Sequence, residues 1–473
     1  MKRCNSGLVF FLLILFGGLG LSAQTVKRLT LEDCIRLGLE KNPQIKIAEA
    51  QIEGARGKEI SVRANLIPKV TATGSAVTSN MLPNLKTGEP QLMPTTFPFA
   101  NTQMDPLPPD HIHFIAFPGF EFTSDREGEI YIGKVEATWP IFTGGRIWNG
   151  YQAAQLEHKV QEKELIKQKL ELIYQIKQAF YGALLAKEMV EVMDQSLATM
   201  SAHYRQVQDL YAEGMVSNLD LLQVEAKLAS LKPQQIEVHN GLKLARLGLA
   251  NILSLELDEP PEVVGELKYE PRGPADPEAY FELGLKDRPE IQTMDLREEQ
   301  TKRMLKIARA GYIPTVALFA NYQWNRGQLM PPNEDEWIEG YQAGVAVTIP
   351  IFDGLATQGE IKSARSQIKQ IEAGKRALAL GIETEVRSAL LTLNATEEKV
   401  EAGRISVGSA EKSYQAAKDR YAVGMANNLD VMDAEVSLIQ ARAQYLQAVF
   451  DHELARANLE KAIGRMSAGY EIY

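Results

Sequence analysis

The chain of 473 residues has almost no cysteine, only Cys4 and Cys34. Lys2 and Arg3 precede an apolar run from Gly7 to Leu21, and Leu21-Ser22-Ala23 forms a small-residue cleavage site before Gln24. Residues 1–23 are therefore predicted to be an export signal peptide. Its removal leaves Cys34 alone, which excludes an intrachain disulfide, so an exported chain must be stable without one. Cys34 itself reads as a small apolar residue on a helix face. The apolar run falls short of the ~20 residues a spanning helix needs, and no other stretch is long and apolar enough. If the chain crosses a membrane, it does so with strands. An excess of basic charge is also missing. The formal charge is −10, and −12 once Lys2 and Arg3 are gone, which argues against nucleic acid as a partner. Catalytic chemistry has no visible foothold. His111 and His113 lie in a Pro-rich stretch, and His158, His203, His239 and His452 are scattered over helical segments. None has metal-ligand spacing with cysteine or carboxylate. Gly144-Gly145 lacks the rest of a phosphate loop. No cofactor, metal or enzymatic activity is expected.

What the chain does have is a copy of itself. Tyr211-Ala-Glu-Gly-Met-Val-Ser-Asn-Leu-Asp220 returns as Tyr421-Ala-Val-Gly-Met-Ala-Asn-Asn-Leu-Asp430, an offset of 210 residues (Tyr211 to Tyr421). Trp139-Pro140-Ile141-Phe142 returns as Ile349-Pro350-Ile351-Phe352 at the same offset. Nearer the start, Asn42-Pro43-Gln44-Ile45 matches Arg288-Pro289-Glu290-Ile291, offset 246 (Asn42 to Arg288). The first copy thus carries 246 − 210 = 36 extra residues between Pro68 and Pro140, a Pro-rich segment predicted as a long irregular loop over 75–129. The predicted organisation is a first repeat over 24–255, a Pro-rich connection over 256–277, a second repeat over 278–465 and a short tail, 466–473. A unit this long is a duplicated architecture, since solenoid periods run roughly 20–50 residues.

Each repeat reads as helix, strand, loop, strand, very long helix, turn, helix. The first helix is predicted over Leu31–Asn65, with Thr30 and Asp33 as a capping box. The long helices are predicted over Gly145–Glu213 and Leu355–Val423, each on the order of 100 Å at ~1.5 Å per residue. Heptad seams run along them, and Ala434, Ala441, Ala448, Ala455 and Ala462 give the last helix an all-alanine seam. Four segments alternate as strands. Tyr131, Val135, Ala137 and Trp139 share one face while Lys134, Glu136 and Thr138 share the other, and 315–325, 341–349 and 70–76 follow suit. Such alternation fits an outer-membrane barrel strand. Four strands cannot close a barrel and lipid tolerates no open edge, so several copies must contribute.

The turn Arg420-Tyr421-Ala422-Val423-Gly424-Met425-Ala426-Asn427-Asn428-Leu429-Asp430 joins two helices and continues into Val431-Met432-Asp433-Ala434-Glu435. Gly424 suits a left-handed helix stop, and Asn427 with Asp430 suits a capping box. With the duplication, the strand pairs and their flanking prolines, the chain resembles the TolC-like outer-membrane efflux factor family over about Thr30 to Arg465. The resemblance implies a mainly α fold with a membrane β-barrel: a homotrimer whose long coiled-coil helices form an α-barrel, with four β-strands per chain in a 12-stranded barrel embedded in outer-membrane lipid. It implies the exit duct of a tripartite efflux or type I secretion system, with a periplasmic adapter and an inner-membrane pump of RND or ABC type as partners. Carried over by motif position, Asp430 and Asp433 would ring a closed periplasmic aperture, with Tyr421 and Asp220 in the links that hold it shut. Gly214, Met215, Val216, Gly424, Met425 and Ala426 would meet the adapter. Where the family comparison has a turn arginine this chain has Ala426, with Val216 in the first copy, so the gate must close differently or be looser. The competing expectation is a periplasmic coiled-coil adapter or structural protein that never enters the membrane.

Overall fold

The computed structural model describes residues 28–79, 85–86, 91–94, 114–117, 121–122, 128–269, 271, 276–327 and 336–466. The expected signal peptide with Cys4, most of the 75–129 loop with His111 and His113, and the tail beyond Met466 lie outside them. The strands are β1 (Arg28–Leu29), β2 (Lys69–Ser79), β3 (Leu85–Lys86), β4 (Gln91–Pro94), β5 (Phe114–Phe117), β6 (Glu121–Phe122), β7 (Gly128–Phe142), β8 (Glu262–Val263), β9 (Thr315–Arg326) and β10 (Ile338–Thr348). The helices are α1 (Leu31–Lys41), α2 (Pro43–Arg63), α3 (Arg146–Ala212), α4 (Asn218–Ile252), α5 (Pro277–Asp287), α6 (Pro289–Arg309), α7 (Ala356–Ala422) and α8 (Asn428–Ala462).

Two predictions change. The single helix expected over 31–65 is two helices broken at Asn42, which is extended at φ −63°, ψ 128°. The cause is Pro43, whose ring disfavours helical backbone at the preceding residue. Asn42 then restarts the helix, its side-chain oxygen accepting from the Gln44 N–H at 2.8 Å. The segment expected to be irregular also contains structure: β3 pairs with β6, and β4 with β5, both antiparallel.

The chain forms two compact units that cut across the sequence repeats. The first comprises the described residues up to Gly54 with those in Lys159–Arg297 and from Gln370 onward. Its core is built twice. One cluster gathers Cys34, Ile35, Ile45, Leu172, Ile176, Phe180 and Leu249, and the other gathers Ile291, Ile382, Val386, Leu390 and Leu459 at the repeat-equivalent positions. Each such side chain, fully buried, contributes about 1.5–3 kcal/mol. Equivalent side chains also tie the helix ends. Asn42 Nδ2 donates to the Ile252 carbonyl at 2.9 Å, and Arg288 Nε donates to the Ala462 carbonyl at 2.6 Å. Arg288 adds an ion pair to Glu385 at 2.7 Å.

The second unit comprises Ala55–His158 and Glu298–Lys369. It holds a four-stranded antiparallel sheet in the order β10-β9-β7-β2. Register places Ala72 opposite Val135, Val135 opposite Tyr322, and Tyr322 opposite Tyr341, so one apolar face crosses all four strands. Thr73, Lys134, Gln323 and Gly340 are aligned on the other face. Tyr341, on the apolar face, is 84% exposed. β2 and β10 are the sheet edges, with no further partner among the described residues. No helix among the described residues is long and apolar enough to cross a membrane.

Candidate functional site

The two turns, at 213–217 and 423–427, are built by the same local chemistry. Each long helix ends on a glycine with positive φ, 74° at Gly214 and 73° at Gly424. A side chain at that backbone conformation is strained, which is why glycine stands there. Gly214 N–H donates to the Tyr211 carbonyl and Met215 N–H to the Leu210 carbonyl, at 3.0 and 2.8 Å. Gly424 and Met425 repeat both bonds, to Tyr421 and Arg420, at the same distances. This paired arrangement satisfies the last carbonyls of the helix.

The next helix starts on a capping box in both copies. Ser217 accepts from the Asp220 N–H at 3.2 Å, and Ser217 N–H donates to Asp220 Oδ2 at 3.0 Å. Asn427 accepts from the Asp430 N–H at 2.8 Å, and Asn427 N–H donates to Asp430 Oδ2 at 3.0 Å. Asp220 and Asp430 thus each satisfy the otherwise unbonded N–H of the residue that caps their helix, Ser217 and Asn427. Asp430 and Asp433 are both exposed.

The turns present apolar tips. Met215 and Met425 are each 68% exposed, and Leu219, Val423 and Leu429 are exposed beside them. Val216 faces inward and packs on a small core of Met200, Val207, Val224, Leu231 and Met432, which Tyr421 also joins. The structure therefore splits the expected adapter residues, exposing the methionines and half-burying Val216 and Ala426.

Tyr421 does not bond Asp220. Its hydroxyl is buried with no partner among the described residues. Burial raises its pKa, with the Asp220 charge adding to the effect. Its ring stands edge-on to His203, centroids 5.3 Å apart.

The polar contacts that do join the helices here were not singled out from the sequence. His203 Nε2 lies 2.7 Å from Asn428 Oδ1, and Asn428 Nδ2 donates to the Asp220 carbonyl at 3.1 Å. Seven residues further along α8, Glu435 Oε1 accepts from Ser196 Oγ at 3.2 Å. Seven further again, Arg442 donates to Gln195 at 3.0 Å and to Glu411 at 2.6 Å. Asn428, Glu435 and Arg442 form polar rungs from α8 to α3, each one residue beyond a heptad whose alanines the sequence displays. That spacing was the available signal. Burial holds the His203 pKa below its ordinary value, against the opposing bond to Asn428. Glu435 is 4% exposed, its Oε2 has no partner among the described residues, and burial pushes its pKa up to about 7. A cavity of about 540 Å³ lies alongside, lined by Ser196, Glu411, Tyr414, Glu435 and Arg442 among others. No group of acidic, histidine or cysteine residues that could hold a metal occurs among the described residues.

A duplicated pair of long helical hairpins, closed by glycine turns, together with an antiparallel sheet that is apolar on one face, defines a membrane channel subunit. The family profile described as outer membrane efflux protein matches residues 34–254 and 282–465, and the chain belongs to that family. The alkaline protease secretion protein AprF of Pseudomonas aeruginosa is 22% identical over 344 residues, covering 72% of this chain and 70% of that protein. The toluene efflux pump outer membrane protein TtgC of Pseudomonas putida is 22% identical over 445 residues, covering 92% of this chain and 82% of that protein. The solved outer membrane protein VceC of Vibrio cholerae shares the fold at a TM-score of 0.69 and 19% identity, with 92% of this chain and 96% of that one covered. The protein is an outer-membrane efflux channel that extends into the periplasm.

Proposed function

We propose that this channel is the passive exit duct of a tripartite efflux or type I secretion system, working as a homotrimer without catalytic activity of its own. The observation that carries the proposal is the sheet in the second unit: it is apolar across one face and open at both edges. Unpaired backbone groups at β2 and β10 are not tolerated in lipid, so neighbouring copies must supply their partners. Three copies of four strands make a 12-stranded barrel, within the range of such proteins.

Energy then comes from an inner-membrane pump, of RND or ABC type, reached through a periplasmic adapter. The exposed Met215, Leu219, Val423, Met425 and Leu429 at the turns support an adapter site, because clustered exposed apolar side chains mark interaction surfaces. Asp430 and Asp433 line the periplasmic aperture, with Tyr421 and Asp220 nearby; both acids are exposed and available to a lumen. Rings of carboxylates attract cations in pores. The signal peptide over 1–23 and the equatorial connection over 256–277 complete the organisation.

Purified protein in planar bilayers tests this. Discrete conductance steps are expected, and replacing Asp430 and Asp433 with alanine weakens block by multivalent cations. Block that is unchanged in the double variant would reduce both aspartates to helix-terminal roles. The competing adapter reading requires detergent-free release into the soluble periplasmic fraction.

A further inference from the structure

Asn428 is 2% exposed, and its carboxamide is bonded on both sides. The partners fix its chemistry. The Asp220 carbonyl can only accept, so the amide nitrogen faces it. Oδ1 then faces His203, and an amide oxygen can only accept, so His203 carries its proton on Nε2. One side chain at the start of α8 thereby joins the C-terminal part of α3 and the first turn of α4. The Tyr421 ring packs edge-on to His203 beside it.

The repeat supplies an internal comparison. The counterpart of Asn428 is Asn218, the same residue type at the same place after the same turn, and it is exposed. The counterpart of His203 is Ser413, which is too short to reproduce the bond. Turn chemistry therefore does not require the buried amide, since the first copy folds the same turn without it.

We propose that Asn428 and His203 are positioning residues that latch the α7–α8 hairpin onto α3–α4 and hold the aperture closed. The proposal rests on the reading of these turns as the aperture. Breaking a buried hydrogen bond without replacement typically shifts an equilibrium by about tenfold. Asn428→Ala and His203→Ala should each raise open-state occupancy in planar bilayers about tenfold, with the conductance of the open channel unchanged. The double variant should open little more than either single one, because both remove the same bond. His203→Gln, which keeps a donor towards Asn428, should restore closure, and Asn218→Ala should leave gating as it is. The His203 pair keeps the test intact if Asn428→Ala fails to insert. Unchanged occupancy in His203→Ala, alongside weakened cation block in the Asp430/Asp433 variant, would overturn the latch and leave the aperture standing. Unchanged block in the aspartate variant would remove the aperture and the latch together.

Discussion

The two copies of the helical hairpin share a backbone and differ in what they bury. α3 and α7 are both 67 residues long, and α4 and α8 are both 35. Their turns have the same φ at glycine within a degree and the same capping boxes. Yet α8 buries Asn428, Glu435, His452 and Glu453 along with its alanines, while α4 buries only Val224, Leu231, Leu249 and Ala250. Duplication preserved the residues that specify local geometry, because a glycine at positive φ or an N-terminal acid acts within one helical turn. Side chains between helices were free to diverge once the two copies met different neighbours. Polar burial in α8 and exposed apolar residues on α4, such as Ile236 and Leu244, are the two outcomes.

That comparison can be broken at three places, the first being the equivalent ties at the helix ends. Arg288→Ala removes a bond to the Ala462 carbonyl and the pair with the half-exposed Glu385, and should cost about 2–3 kcal/mol. Asn42→Ala, at the matched position, should cost about 1–2 kcal/mol. Urea unfolding of the purified protein, followed by helical signal, reads both. Equal costs would mean that the ion pair adds nothing.

The second place is the pair Glu435 and Glu225. Glu435 has a folded pKa of about 7, raised chiefly by burial against the opposing effects of Ser196, Lys227 and Lys418. Tyr414 also faces it. A carboxyl with a raised folded pKa favours folding while protonated. That contribution is present in full below the ordinary carboxyl pKa of about 4.5 and is lost as pH rises through about 7. Taken alone, Glu435 therefore lowers the melting temperature of the helical body at pH 8 relative to pH 5, while the depressed pKa values of buried His203 and His452 act in the opposite direction. Glu435→Gln should remove its share of this dependence, and Glu225→Gln, at the exposed counterpart, should not. A wild-type-like slope in Glu435→Gln would place the titration elsewhere.

The smallest effect is a gain. The first copy has Gly145 at φ 82° before its long helix, and the second has Leu355 at φ 72°. Left-handed backbone costs a residue with a Cβ about 1 kcal/mol or more. Leu355 is exposed and loses little packing, so Leu355→Gly should stabilise the second unit slightly. A loss on thermal melting would show that Leu355 makes contacts worth more than the strain.

Much of the fold was legible because its signals are local or periodic. The long helix expected over 145–213 lies at Arg146–Ala212, and strand alternation matches the face that register builds. The break at Asn42 was missed because the periodic apolar pattern continues across it, although Pro43 announces it. The site was legible in its turns and not in its rungs. Asp220 and Asp430 sit where capping boxes put them. Asn428, Glu435 and His203 are long-range partners, and a single polar residue at a buried seam position looks the same in sequence as one on a solvated face.

The sheet edges carry a consequence for genetics. β2 and β10 lie at opposite edges of an up-and-down sheet of even strand number, so they run antiparallel to one another. In the trimeric ring proposed above, each copy offers its β2 to one neighbour and its β10 to the other, a head-to-tail contact that closes only when every joint is made. One chain with a spoiled edge, for instance a proline in the middle of β10, opens the whole ring. Such a chain expressed in equal amount with the normal one should leave about one trimer in eight intact if the copies mix at random. A single altered allele would then silence most of the channel, and the loss would be dominant.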